Sequence, residues 1–273
     1  MRCSYEFFLL SAFIFLHACS VKQIQTDGGD LTRIEVEYIS RQLTSMVEAK
    51  FPPLKHKMVN RYIDSLGQSI VSHNSDMPPL PYEFRVLKSN EVHLFSLPGG
   101  VVYLTLGALR AFESEGQLVA AIAHELAHQQ LAHPLITWRK RVNASREKNF
   151  PFSPDMEWEN YFLGTRGFLY YGEGGEKEAD QQSAVIMYRA QYDPRLMLAY
   201  LQALQKIEIA KPELVAATRT IHPENSKRIG WVKEILLKLP PQKNPKPSSA
   251  SFSELKQILK EAELKVKDKR KND

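Results

Sequence analysis

The chain has 273 residues, of which 43% are hydrophobic and 25% charged. That suits one soluble globular domain with a short appendage and excludes both a low-complexity chain and a disulfide-dense scaffold. The net charge of +5 is mild, and part of it sits in the terminal "KVKDKRKND". No basic motif interleaved with aromatics is present, so no nucleic-acid partner is expected.

The first twenty residues, "MRCSYEFFLLSAFIFLHACS", stand apart. Arg2 precedes an apolar run from Phe7 to Leu16 that is short for a membrane span and reads as a secretory signal. Leu16-His17-Ala18-Cys19 resembles a bacterial lipobox. On that resemblance residues 1–18 are a leader and Cys19 is the lipidated first residue of the mature protein. Ser20 after it suggests the outer membrane, with inner-membrane lipid as the alternative partner of Cys19. Cys3 and Cys19 are the only cysteines, so the mature part has no disulfide, and any metal ligands must be His, Asp or Glu.

Residues 19–30 read as a tether. Helices are expected from about Leu31 to Lys50, where "FPP" ends the first, and from His56 to Ser72. "YEFRVLKS", "VHLFSL" and "VVYLTL" carry strand signals, with "PGG" at 98–100 as a turn. A small sheet therefore precedes a helix from about Glu115 to His133. Residues 139–175 mix basic, aromatic and Gly residues and suit a flap over a cleft, with Phe162, Phe168, Tyr170 and Tyr171 read as core. Further helices begin near Glu176, after Pro194 and near Glu224. A Pro-rich linker at 240–250 leads to a separate basic tail helix at 251–273. The fold class is α+β, mostly helical, with the domain at 31–239.

The chemistry concentrates in "AAIAHELAHQQLAHPL". At roughly 100° per residue, His124 and His128 share one helix face, with Glu125 beside them. His-Glu-x-x-His presents two neutral imidazoles to Zn²⁺ and a Glu to the attacking water. The flanks Leu118, Val119, Ile122, Leu126 and Leu131 make the helix apolar on most sides, so its buried polar groups need partners. His133, nine positions after His124, falls about half a turn away. It is read as a helix-end residue or a support behind a ligand, not as a ligand. A catalytic zinc takes three protein ligands. Pro134 occupies the place where a third histidine would follow a turn, which leaves a carboxylate: Glu173, Glu176, Glu178 or Asp180. Glu176 and Asp180 share a face, so one can bind zinc while the other accepts a hydrogen bond from an imidazole. Glu178 points roughly 200° away from Glu176, toward solvent.

His124-Glu-Leu-Ala-His128 followed by Glu176-Lys-Glu-Ala-Asp180 resembles the zinc metallopeptidase family of the CAAX prenyl proteases and HtpX, of gluzincin type. "SLPGGVVYLTLGAL" resembles that family's strand before the zinc helix, and "IHPENSKRI" a motif of its periplasmic BepA- and LoiP-like branch. These ordered motifs run from about Leu94 to Ile229. His93-Leu94 stand where the family has Asn-Ala, Gly172 to Gly175 where it has Ser-Arg, and tetratricopeptide repeats are missing. The resemblance implies a zincin-like domain with one Zn²⁺. His124, His128 and Glu176 would be its ligands, Glu125 the general base, and Asp180 the partner of a ligand imidazole. His222 would be a fourth, blocking ligand or an oxyanion donor, and Arg228 could also meet the oxyanion; the plainer reading of His222 is a helix-start residue packed on Pro223. The implied substrate is unfolded or misassembled envelope protein, with a latent assembly factor or chaperone as the alternative. "GVVYLTL" is a candidate sheet edge to which an extended substrate would add as a strand.

Overall fold

The computed structural model describes residues 33–147 and 169–272. The leader, Cys19, the tether, Phe162 and Phe168 lie outside them.

Helix α1 (Arg33–Lys50) and helix α2 (Lys57–Ser72) come first. His56 caps α2 by accepting from the Val59 backbone N–H. Three strands follow: β1 (Glu83–Leu87), β2 (Leu94–Ser96) and β3 (Val101–Thr105). Their order is β1-β3-β2, with β1 parallel and β2 antiparallel to β3. The tight β2–β3 turn needs Gly99 and Gly100, whose φ values of 93° and 99° suit residues without a Cβ. β3 alternates between two apolar clusters. Val102 and Leu104 face the main core with Phe84 and Val86 of β1. Val101 and Tyr103 face a second cluster with Leu43, Val47 and Phe95. All five β3 residues are buried, as a continuous apolar run predicts for a strand covered on both faces.

"VVYLTL" is therefore the central strand, not an edge. Strand order overturns that expectation, because β1 reaches β3 from the side opposite β2. The outer side of β1 is itself covered: Leu54 N–H donates to Val86 C=O at 2.7 Å and Lys88 N–H to Pro52 C=O at 2.9 Å. Among the described residues β2 is left as the other edge.

Thr105 and Ser114 cap helices α3 (Leu106–Ala111) and α4 (Glu115–Gln130) by accepting from Ala108 and Gln117 N–H. α4 is buried on nearly every side, which fits a helix that is apolar all round. It ends three residues short of the expected limit. Ala132 adopts φ 56°, and a new helix, α5 (His133–Glu147), starts with Pro134 as its second residue.

Helix α6 (Gly172–Arg189) packs along α4, burying Ala179, Ser183, Ala184, Ile186 and Met187. It begins a turn before the expected Glu176. The glycines at 172, 174 and 175 hide that turn from a propensity reading. Helix α7 (Leu196–Ala210), a 3-10 turn (Pro212–Val215), short helix α8 (Ala216–Ile221) and helix α9 (Asn225–Leu236) close the core around α4 and α6. Helix α10 (Ala250–Asn272) does not stand apart as a tail. Phe252, Leu255 and Leu259 join the main core beside α2. Lys256 Nζ donates to the carbonyls of Leu109, Arg110 and Phe112 at the end of α3, at 3.2, 2.8 and 2.8 Å.

Candidate active site

One helical turn sets His124 against His128 on α4, and one turn sets Glu176 and Asp180 on the facing side of α6. The two pairs meet in the interior. His124, His128, Glu176 and Asp180 are each 0% exposed, and Glu125 3%. His222, between α8 and α9, completes a cluster with His124, His128 and Glu176 in which one ligand atom per residue lies within 4.8 Å of the others. The two Nε2 atoms of His124 and His128 are 3.1 Å apart. Glu176 Oε2 lies 3.5 Å from His124 Nε2 and 3.4 Å from His222 Nε2, and Oε1 lies 3.6 Å from His128 Nε2.

Among the described residues, neither oxygen of Glu176 has a hydrogen-bond partner. A buried carboxylate without donors is costly. Three imidazole nitrogens converge on it. Burial and Arg228 push the His124 imidazole down, but Asp180 and Glu176 outweigh them and raise it to about 9, so an ion entering the cluster would displace a proton from its Nε2. His222 Nδ1–H donates to Thr218 C=O at 3.0 Å, which leaves its Nε2 free for the cluster. Burial and nearby cations hold His128 and His222 well below the ordinary imidazole range, in the neutral form a ligand requires. Nitrogen and carboxylate donors with no thiolate make a set that fits Zn²⁺.

Behind the cluster, Asp180 Oδ1 lies 3.0 Å from His124 Nδ1. Burial pushes its carboxyl up, and Arg228 overrides that, holding Asp180 well below the usual range. Arg228 is fully buried. It donates Nε to Oδ2 at 2.9 Å and Nη2 to Oδ1 at 2.8 Å. Two of its nitrogens are thus committed to Asp180, Nη2 also lies 3.4 and 3.5 Å from the two ring nitrogens of His124, and Nη1 has no hydrogen-bond partner among the described residues. Sequence reading missed this because a side chain's partner four dozen residues away leaves no local pattern.

Glu125 lies beside the cluster, next to β2. Burial raises its carboxyl to about 7, with His124 pulling the other way.

His133 is not among the cluster's ligands, as expected, but it is not on the opposite face of the helix either. Its Nδ1 lies 2.9 Å from His128 Nδ1, and its Nε2 lies 3.2 Å from Glu178 Oε2. Glu178 is exposed, as expected, yet paired. Pro134 was the available signal, since proline favours the first turn of a new helix. Tyr171 was also missed. Its ring packs 4.3 Å from that of His128, and its Oη donates to Ser96 C=O on β2 at 3.4 Å.

Residues 57–236 match Peptidase family M48. The chain is 28% identical over 182 residues to the beta-barrel assembly-enhancing protease of Escherichia coli, covering 62% of this chain and 36% of that protein. It is 25% identical over 226 residues to the Yersinia pestis protein of the same name, covering 76% and 45%. It is 29% identical over 168 residues to the mitochondrial metalloendopeptidase OMA1 of Schizosaccharomyces pombe, covering 59% and 49%. The chain spans less than half the length of each of these relatives. With its matched region holding both the His124–His128 pair and Glu176, the chain belongs to peptidase family M48.

Proposed function

We propose that the protein is a zinc-dependent endopeptidase of the bacterial envelope that cleaves unfolded or misassembled polypeptides. The observation that carries this is the donorless carboxylate of Glu176, buried among three imidazole nitrogens with Glu125 alongside. His124, His128 and Glu176 would hold the ion. When bound, zinc acidifies water and polarises a peptide carbonyl. Glu125 then takes the proton of the attacking water and delivers it to the leaving amine. A carboxyl raised toward neutrality suits both transfers. Asp180 fixes the His124 ring by accepting from Nδ1–H, and Arg228 keeps Asp180 charged.

The edge left by the sheet is β2. His93, Phe95 and Leu97 turn their backbone groups toward β3, so those of Leu94 and Ser96 point outward, where Tyr171 Oη now donates to Ser96 C=O and would have to give way to a substrate strand. An extended substrate adding there would lie beside α4 and Glu125. Such pairing reads backbone more than side chain, which suits unfolded chains.

We place the protein on the periplasmic face of the outer membrane through lipid on Cys19, as the leader implies. No described helix is long and apolar enough to cross a membrane.

A second reading, a latent assembly factor, is favoured by one observation: His222 supplies a fourth ligand atom. The same ring lines a surface cavity of about 400 Å³ with Glu208, Arg219 and Pro223. The two readings separate on casein, with zinc loaded. The endopeptidase reading expects cleavage by the wild type and loss of it in Glu125→Gln. Equal, negligible cleavage by both contradicts it and favours latency.

A further inference from the structure

We infer that His133 and Glu178 form a positioning relay that fixes the ring of His128 from behind. The inference rests on the reading that His128 holds the metal. His128 points Nε2 at His124 Nε2 and Glu176, so its Nδ1 faces away from the cluster and meets His133 Nδ1 at 2.9 Å. Two ring nitrogens at that distance share one hydrogen. A ligand Nε2 must keep its lone pair, so the hydrogen sits on His128 Nδ1 and His133 accepts it. His133 then carries its own hydrogen on Nε2, which donates to Glu178 Oε2 at 3.2 Å. Only one arrangement of protons satisfies the whole line with His128 as a ligand.

The surroundings hold this line in place. The left-handed Ala132 turns the chain back after α4 and delivers His133 to His128. Gly175 makes room for Tyr171, since a Cβ there would come within a tight 3.1 Å of Tyr171 Cβ, while His133 Cε1 would stand in ordinary contact at 3.6 Å. The Tyr171 ring covers both imidazoles, with centroids 4.3 and 5.8 Å away. His124 and His128 thus end on carboxylates by different routes. His124 reaches buried Asp180 directly. His128 reaches Glu178, whose side chain is 66% exposed, through a second histidine. A ring held in its binding tautomer loses less freedom when the ion enters, and removing such support typically weakens metal binding by about 10- to 100-fold.

The test is zinc affinity of the full chain by competition with a chromophoric chelator, alongside thermal unfolding of the metal-free forms. His133→Phe keeps the bulk and removes the acceptor. His133→Asn restores an acceptor oxygen near the place of Nδ1. Glu178→Ala removes the outer end. The relay predicts a zinc Kd raised about tenfold or more in His133→Phe, brought back to within about threefold of wild type in His133→Asn, and raised about threefold in Glu178→Ala. A His133→Phe Kd within about twofold of wild type overturns the relay, as does a His133→Asn no tighter than His133→Phe. Should His133→Phe fail to fold, Glu178→Ala decides: an unchanged Kd overturns the relay. A wild type that binds no zinc overturns the reading beneath it, and the relay with it.

Discussion

Arg228 grips Asp180 through two parallel hydrogen bonds, 2.9 and 2.8 Å long, with neither side chain exposed to solvent. Asp180 in turn meets His124 Nδ1 at 3.0 Å. The pair is an anvil for a ligand ring. Asp180→Asn leaves a buried guanidinium without its counter-charge, which costs on the order of 3–5 kcal/mol. Urea unfolding of the metal-free protein reads that loss. Zinc affinity falls as well, by about tenfold or more. Unchanged values in both measurements would contradict the arrangement.

His222 offers Nε2 to Glu176 Oε2 at 3.4 Å while its Nδ1 is tied to Thr218 C=O. A fourth ligand tightens the ion and blocks the open position that catalysis needs. His222→Ala is therefore expected to weaken zinc binding about tenfold and, at saturating zinc, to raise the rate of casein cleavage. A rate that falls instead contradicts the blocking role.

His93 stands just before β2, 5% exposed, and its Nε2 has no hydrogen-bond partner among the described residues. Burial lowers its imidazole from 6.5 to about 4. The unfolded chain therefore takes up a proton below pH 6.5 that the folded chain refuses until about pH 4. Stability contributed by the neutral ring is present above pH 6.5 and lost as the pH falls toward 4, by up to about 3 kcal/mol. His93→Asn removes that term. Between pH 7 and about pH 4.5, urea unfolding should show the wild type losing about 2 kcal/mol more than the variant. Parallel losses would sink the prediction.

The site was legible where chemistry follows from a helical repeat. Four-residue spacing put His124 over His128 and Glu176 over Asp180, and the all-round apolar α4 announced its own burial. The α+β class followed from strand signals placed ahead of α4. What was hidden depends on where elements end or what they meet across long gaps. His133 was misplaced because the helical repeat was carried past Gln130, while Ala132 breaks it with one left-handed residue. β3 was taken for an edge because pairing order is set by β1, whose approach no local pattern records. Arg228 reads as a lone basic residue until α9 packs on α6 and delivers it to Asp180. The docking of α10 hangs on Phe252, Leu255 and Leu259, an apolar face that the preceding Pro-rich stretch disguised as a tail.

Glu176 carries the central claim, since it is the carboxylate ligand that comes from outside the His124–His128 helix turn and has no hydrogen-bond partner among the described residues. Zinc per chain, measured by elemental analysis after dialysis against metal-free buffer, tests it most directly. The account expects about one ion per wild-type chain and little or none in Glu176→Ala, with the fold retained by circular dichroism. A wild type without zinc, or a Glu176→Ala protein that keeps its full complement, contradicts it.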